Sequence, residues 1–556
     1  MSLPVLALLV LGGLAAGYFL YGRFVARQFR LDDDAPTPAS QINDGVDFVP
    51  AKPFYLMGQH FSAIAAAGPI AGPILACQSF GWLPCILWIV VGAIFIGAVH
   101  DFSALVASVR HKARSICEIA REHMGRPAWI ALLTFIWIAL VYVILAFADV
   151  TAMTFIGKIE ELDGLKVGFN AGGAVAFAST AYLLLAVAMG LIQRKWHPPL
   201  WLMTAVFVPA TLGVVWLGTK FPNLLVLPHG AWAAIIMAYC VVASLVPMWA
   251  LLQPRGYLGG FVLYLVLIAG LVGMFFGGFD IRQPATTAAP LFGVDKSLFP
   301  FLFVTIACGA CSGFHGLVCS GTTSKQVAKE SHCRAVGYGG MLLEGMVALI
   351  ALATVMIVVK AQGTPGEVYG RGIGEFVSVV FGRDQLLLAT VFGTMAFSTF
   401  VFDTLDVATR LGRYVLQELT GSWGRTGAVA ATVATAGVPL ALLLLGGQGG
   451  FAKFWVLFGT SNQLLAALTL LAVGVWLKRT GRPAWFAWAP MAFVMGITLW
   501  ALTAQAISFF GKVNDPKVGM ASLANGGLAV ALGVLALFLV VEAVRALRRP
   551  VPAPVT

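Results

Sequence analysis

Residues 56–78 form an apolar stretch long enough to cross a bilayer, yet two Gly-Pro pairs, Gly68-Pro69 and Gly72-Pro73, sit in its middle. Proline cannot donate to the carbonyl four residues before it. Pro69 therefore releases the carbonyl of Ala65, and Pro73 releases that of Pro69. In hydrocarbon an unsatisfied backbone group costs roughly several kcal/mol, so such a break survives only where protein, water or a bound solute satisfies it. Discontinuous membrane helices of this kind build the solute sites of transporters. The plainer reading is a proline kink in a buried helix.

The rest of the chain has the composition of a membrane protein. Of 556 residues, 59% are hydrophobic and only 11% charged, against about 25% charged in soluble domains. Apolar runs near 3–22, 56–78, 82–109, 127–156, 171–193, 198–218, 230–253, 257–278, 299–323, 337–359, 386–409, 427–446, 453–477, 483–509 and 525–544 are each long enough to span. The expected fold is an all-α polytopic membrane protein with about 15 transmembrane helices. The first run lacks a basic start, and Arg23, Arg27 and Arg30 follow it, so it reads as an uncleaved span. The eight cysteines lie mostly in spans or basic loops, which argues against a secreted disulfide framework.

Orientation follows from the basic residues. With the loop 110–126 in the cytoplasm, the alternating inside segments hold 24 of the 35 Lys and Arg. The positive-inside rule then puts the N-terminus outside and the C-terminus inside a bacterial-type inner membrane. Topology thus accounts for the net charge of +11, and no nucleic-acid partner is implied. The largest inside loop, 23–55, is a turn-rich connector, and 360–385 reads as an external loop of mixed charge.

A second interruption is expected in 230–253, where Pro247 releases the carbonyl of Ala243. Counting from 56–78 as helix one of a core, this is helix six, and it runs in the opposite direction. Two five-helix units that each open on a broken span are the pattern of inverted-repeat transporters. The chain then divides into 1–55 (extra span and connector), 56–218 (first repeat), 230–426 (second repeat) and 427–556 (peripheral spans). The segment 299–323, helix eight of that count, is rich in small residues and hydroxyls, which suits helix packing as well as cation coordination.

Several motifs in order carry a family resemblance. They are His60-Phe61 with Gly68-Pro69 and Gly72-Pro73, then Gly97-Ala98-Val99-His100-Asp101-Phe102, then Gln253-Pro254-Arg255, then Ser312-Gly313-Phe314-His315 with Ser320-Gly321-Thr322. The connector from Thr37 to Asp47 adds to them. The chain resembles the carbon-starvation protein A family from about residue 35 to about residue 415. The resemblance implies an inner-membrane, secondary-active importer of pyruvate or short peptides. It also implies the leucine-transporter-like 5+5 core of the amino acid–polyamine–organocation superfamily, with discontinuous first and sixth core helices. Gly256 departs from the pattern, which leads one to expect an acid after Gln-Pro-Arg.

Under that fold the two breaks meet at mid-membrane. The start of the second half-helix (Gly68, Pro69, Ile70, Ala71, Gly72) offers backbone amides and a positive helix end to a carboxylate. Ser244, Trp249 and Ser312 complete the candidate substrate site. Ionisable residues inside spans are costly and mark function or a partner. His60, His100, Asp101, His315, Glu344 and Asp406 are the coupling or gating candidates, with His60 at the inner mouth of helix one. Asp403, Asp406 and Arg410 share a helix face and read as an ion-pair group, and Asp149, toward the outer end of its helix, reads as solvated. Ser320, Thr322 and Thr323 form a possible cation site.

The expected function is import of small carboxylates or peptides coupled to H⁺, with Na⁺ as the alternative ion, no other cofactor, and membrane lipid and a small solute as partners. Cys308, Cys311, His315 and Cys319 make one helix stripe, which leaves a membrane metal-binding protein as a rival. A nutrient sensor is another rival, though no signalling domain is visible. Enzyme activity is not expected: Ser312 and His315 lack an orienting acid. Ser461-Asn462-Gln463 reads as helix–helix hydrogen bonding.

Overall fold

The structure, a computed structural model, describes residues 2–44, 48–65, 67–157, 159–160, 169–294, 296–359, 363–446, 451–515 and 519–550. Part of the connector, 45–47, and the end of the basic tail, 551–556, lie outside the described residues. Apart from loops, the described chain is helical, with one antiparallel pair of two-residue strands, Ile159–Glu160 and Phe169–Asn170. Twelve helices are long and apolar enough to cross a membrane, or thirteen when Pro53–Ile64 and Gly68–Phe80 count as one bent span. Two of the fifteen expected spans fail that test: His229–Leu245 is short, and 299–323 is interrupted.

Burial separates inner spans from outer ones. Arg126–Phe155, Arg334–Ile357, Arg383–Thr420 and Phe454–Arg479 are almost wholly enclosed by protein, whereas Leu3–Phe29, Leu200–Lys220 and Ala521–Arg548 are mostly exposed. Apolar faces turned outward on the latter suit a lipid environment. The expectation that 427–556 is peripheral fails for one member, because 94% of the residues in the most apolar stretch of Phe454–Arg479 are buried, the highest share among the twelve.

The 360–385 region also differs from expectation. Pro365–Phe381 is a helix, opened by a capping box in which Thr364 and Glu367 bond each other's backbone N–H. It packs along Leu386–Thr420. Its glycines hid it: Gly370, Gly372 and Gly374 lower helix propensity but allow contact with Thr394, Thr354 and Thr390.

The start of the 23–55 connector is pinned to the 324–333 segment. Arg110 pairs with Glu330 at 2.7 Å and donates to the Phe29 carbonyl at 2.9 Å. Asp33 accepts from the Ser331 amide and hydroxyl, both at 2.8 Å, and the amide above all holds its carboxyl below the ordinary range.

Three of the described spans contain a π-helical turn: Gly17–Tyr21 in Leu3–Phe29, Ala93–Gly97 in Trp82–Arg110, and Arg334–Gly339 at the start of Arg334–Ile357; the last two meet. Tyr338 donates to the Ile94 carbonyl at 2.8 Å, so one wide turn supplies a donor to the other. A Cβ added at Gly97 would run into the Ala310 carbonyl oxygen. Gly97→Ala gains about 1 kcal/mol of helix propensity but overpacks a main-chain contact, at a cost of about 1–3 kcal/mol. The contact is with backbone that cannot rotate away, so a lower unfolding temperature in detergent is expected. An unchanged one would show that the two segments separate freely.

Candidate functional site

The chain breaks where Pro69 requires it. Pro53–Ile64 stops, Ala65 has φ −74° and ψ 52°, and Gly68–Phe80 resumes at a bend of 47°. Pro73 sits inside the second half-helix without ending it, so one proline makes the break rather than two. Gly68, Pro69, Ile70, Ala71 and Gly72 are all buried. The Ile70 and Ala71 amides already donate to the Ala67 carbonyl, at 3.2 and 2.9 Å. They close the first turn rather than standing ready for an anion, contrary to the expectation for this pair.

The partner break is not in 230–253. His229–Leu245 runs unbroken, and Pro247 lies in the connection that leads to Leu252–Phe276. Arg410 takes up the freed carbonyls, donating to Ala243 at 2.7 Å and Val246 at 2.8 Å. Ser244 bonds Thr432 at 3.3 Å. Trp249 stacks under Arg194, 5.3 Å from ring centroid to guanidinium, and lines a cavity of about 350 Å³ with Gln193, Gln253 and Tyr257. No described contact joins these residues to the first break.

The second interruption lies in 299–323. Leu298–Thr305 and Gly313–Gly321 flank a non-helical segment, 306–312, in which Gly309 adopts φ +84°. That left-handed conformation is accessible to glycine without a Cβ penalty. The segment presses on the first break: a Cβ at Gly68 would collide with Cys308, and one at Gly72 would lie 2.7 Å from the Thr305 carbonyl oxygen. The two broken spans therefore face each other.

Side chains from three other spans satisfy the unwound backbone. Trp88 donates to the Ile306 carbonyl at 3.0 Å, Trp455 to Thr305 at 3.1 Å and Gln463 to Phe303 at 2.9 Å. Asn462 accepts from the Phe314 amide at 2.9 Å and donates to Ser312 Oγ at 3.0 Å. The Gly309 amide donates to Glu344 Oε1 at 3.1 Å. Sequence reasoning missed Trp88, Trp455, Asn462 and Gln463 as partners of a break. The Ser461-Asn462-Gln463 trio inside an otherwise apolar span was the available signal.

Four coupling candidates come together at this point. His100 Nδ1 lies 2.7 Å from Asp101 Oδ1, and His315 Nδ1 lies 2.8 Å from Asp101 Oδ2. The other nitrogen of His315, Nε2, is 3.1 Å from Glu344 Oε2. His100, Asp101 and His315 thus form one buried hydrogen-bonded chain, and Glu344, which holds the Gly309 amide through Oε1, faces its end at 3.1 Å with an Oε2 that has no hydrogen-bond partner. At the chain's far end, His100 Nε2 and Thr469 Oγ1 are buried without a hydrogen-bond partner, and both lie within 3.3 Å of where a Gly316 Cβ would sit.

The remaining candidates have separate settings. His60 Nδ1 bonds Thr323 Oγ1 at 3.0 Å, linking Pro53–Ile64, the first half of the first broken span, to the chain that follows the second. Ser320 donates to the Gly316 carbonyl at 2.7 Å, and Thr322 to the Val318 carbonyl at 3.1 Å. The three hydroxyls of the possible cation site therefore have three separate partners. Asp406 and Asp403 pair with Arg255 rather than with Arg410, and Asp406 also accepts from Tyr239 at 2.8 Å. Asp149 is fully buried and paired with His229 at 2.6 Å, rather than solvated. His315 is taken by two carboxylates, and the Cys308–Cys319 stripe gathers no three-ligand group among the described residues.

Apolar spans packed around two facing helix breaks, with a buried acid–imidazole chain beside them, define a polytopic membrane protein of the kind that carries solutes. More narrowly, the chain belongs to the carbon starvation protein CstA family, whose family model matches residues 2–364 and 356–501. A Helicobacter pylori strain J99 protein named peptide transporter CstA is 34% identical over 575 residues, spanning 90% of this chain and 81% of that one. A Bacillus subtilis protein of the same name is 31% identical, spanning 96% and 95%. The Escherichia coli K12 pyruvate/proton symporter BtsT is 31% identical over 600 residues, spanning 88% and 80%. These are names of transporters, not of enzymes. Among solved structures, MhsT in complex with L-phenylalanine aligns at a TM-score of 0.44 and 14% identity, covering 88% of this chain and 98% of that one. A mutant of the Eremococcus coleocola manganese transporter aligns at 0.44 and 12%, covering 89% and 95%.

Proposed function

We propose that this chain is a secondary-active importer of small carboxylates or short peptides, driven by protons across a bacterial-type inner membrane. One observation carries the reading: the Glu344 carboxylate holds the Gly309 amide of the unwound segment and, on its other oxygen, faces His315 of the chain that leads to Asp101. A proton entering or leaving that chain changes which of its contacts are donors. The backbone of the break then gains or loses a hydrogen bond, and a solute carboxylate takes part in the exchange. The separate partners of Ser320, Thr322 and Thr323 favour H⁺ over Na⁺ as the coupling ion.

We further propose a 5+5 core of different bounds from those the sequence suggested. Its first unit is the Pro53–Phe80 broken span, Trp82–Arg110, Arg126–Phe155, His229–Leu245 and Leu252–Phe276. Its second is the 298–321 broken span, Arg334–Ile357, Leu386–Thr420, Arg425–Gly446 and Phe451–Arg479. In each unit the second helix has a π-helical turn and the third is the longest, with 30 and 35 residues. Ala171–Trp196 and Leu200–Lys220 form an inserted hairpin. The count of 15 spans, with the N-terminus outside and the C-terminus inside, goes with this arrangement.

Counterflow and gradient-driven uptake in proteoliposomes test the function. Labelled pyruvate, or a di- or tripeptide, is expected to accumulate under an inward proton gradient without Na⁺. No accumulation of any of these under a proton or a sodium gradient would end the proposal.

A further inference from the structure

A second imidazole cluster lies outside the proposed pathway, where the Trp82–Arg110 span turns into the 110–126 loop. Lys112 and Ala113 take left-handed backbone angles, and Ser108 ties the turn by accepting the Ala113 amide at its carbonyl and donating to the Arg114 carbonyl. This tight turn brings His111 back toward His123, near the end of the Ile116–Met124 helix. His111 Nδ1 is 2.6 Å from the Ala107 carbonyl, which fixes the hydrogen on Nδ1 and leaves the lone pair on Nε2. That Nε2 lies 2.8 Å from His123 Nε2, with the rings at 87°. Trp476 packs edge-on against His111 at 5.2 Å and holds it in place. Glu122 brings a carboxylate oxygen to the same point: one ligand atom from each of the three residues lies within 4.8 Å of the others, the one such group among the described residues.

Two imidazole nitrogens that face each other either share a hydrogen or share a cation. We propose that they share a cation, and that His111, His123 and Glu122 form a divalent transition-metal site of the zinc class. Two imidazoles and a carboxylate suit zinc, while magnesium and calcium prefer oxygen alone. At metal–nitrogen distances of about 2.0–2.1 Å, cis ligands stand about 2.9 Å apart and tetrahedral ones about 3.3 Å. The nitrogens need to part by about half an ångström, and the rings, which now point nitrogen to nitrogen, need to tilt so that both lone pairs meet at the metal. The Ala107 carbonyl is the outer partner that such a histidine ordinarily has. Arg114, 3.5 Å from Glu122, gives up that exposed contact when the carboxylate turns to the metal. The bound ion staples the loop to the end of the span.

The full chain, purified in detergent and stripped with a chelator, is titrated with Zn²⁺ by calorimetry. One saturable equivalent per chain is expected. His123→Gln abolishes it without lowering the metal-free unfolding temperature, because the glutamine amide still donates to His111 Nε2. Glu122→Gln weakens binding by at least the roughly tenfold that loss of even an outer partner costs. His197→Ala, an exposed histidine elsewhere, leaves binding unchanged. The absence of a saturable equivalent, or one that survives His123→Gln, overturns the site. If the variant cannot be purified, X-ray absorption of the zinc-loaded native chain decides: two imidazole nitrogens support the site, and a shell without imidazole refutes it.

Discussion

Asp101→Asn is expected to abolish proton-driven uptake while leaving solute exchange across the membrane intact. Asp101 is fully buried and accepts from two imidazoles at once, His100 at 2.7 Å and His315 at 2.8 Å. An asparagine has nearly the same shape but only one accepting atom. Its amide NH₂ would meet the N–H of one imidazole, and that ring must then flip its tautomer or lose the contact. Either outcome severs the route from His100 through His315 to Glu344. A buried donor left unpaired costs about 1–3 kcal/mol, enough to bias the chain to a single arrangement. Exchange needs the solute site to open to both sides in turn but needs no net proton movement, so it persists. The measurement compares uptake under an imposed pH gradient with counterflow at equal pH, in the same proteoliposomes. Gradient-driven uptake at the native rate would clear Asp101 of the coupling role. Loss of both activities would assign it to folding or to the solute site.

The first break was legible because proline leaves a mark that no context erases: its missing N–H and ring clash act on the chain itself. The second break has no such mark. The 306–312 segment contains no proline, and it unwinds through Gly309 and through hydrogen bonds donated by Trp88, Trp455 and Gln463 and accepted by Asn462 and Glu344. Those partners are between 35 and 218 residues away in the sequence, so a local reading saw only small residues and hydroxyls. Pro247 misled for the opposite reason. It has the same local signature as Pro69 but falls just past a helix end, where Arg410 receives the carbonyls it frees. The cost of burying charge singled out His100, Asp101, His315 and Glu344 in the sequence. Only the fold could show that they partner one another. The Pro365–Phe381 helix was missed because its glycines lower helix propensity, and the enclosed Phe454–Arg479 span was misjudged because burial is a property of neighbours, not of composition.

Arg255→Leu is expected to lower stability by about 3–5 kcal/mol, the usual cost of removing one partner of a buried ion pair. The Gln253-Pro254-Arg255 motif drew attention in the sequence without a partner in view, and the structure supplies two. Arg255 is 1% exposed and bonds Asp403 through one terminal nitrogen. Its other terminal nitrogen reaches Asp406 at 2.6 Å and the Tyr239 hydroxyl at 3.0 Å. Tyr182 donates to the Arg255 carbonyl at 2.8 Å, so the motif joins four helices. Leucine would fill most of the volume but leave two carboxylates one helical turn apart with no cation between them. That repulsion, more than the lost attraction, sets the size of the effect. The triple change Arg255→Leu, Asp403→Asn, Asp406→Asn removes the charges together and is expected to recover much of the loss, as replacing a whole buried ionic group often does. Unfolding temperature in detergent, read for the single and triple variants, makes the comparison. If Arg255→Leu unfolds with the native protein, the carboxylates have water or another cation available, and the cluster is not a closed structural pair.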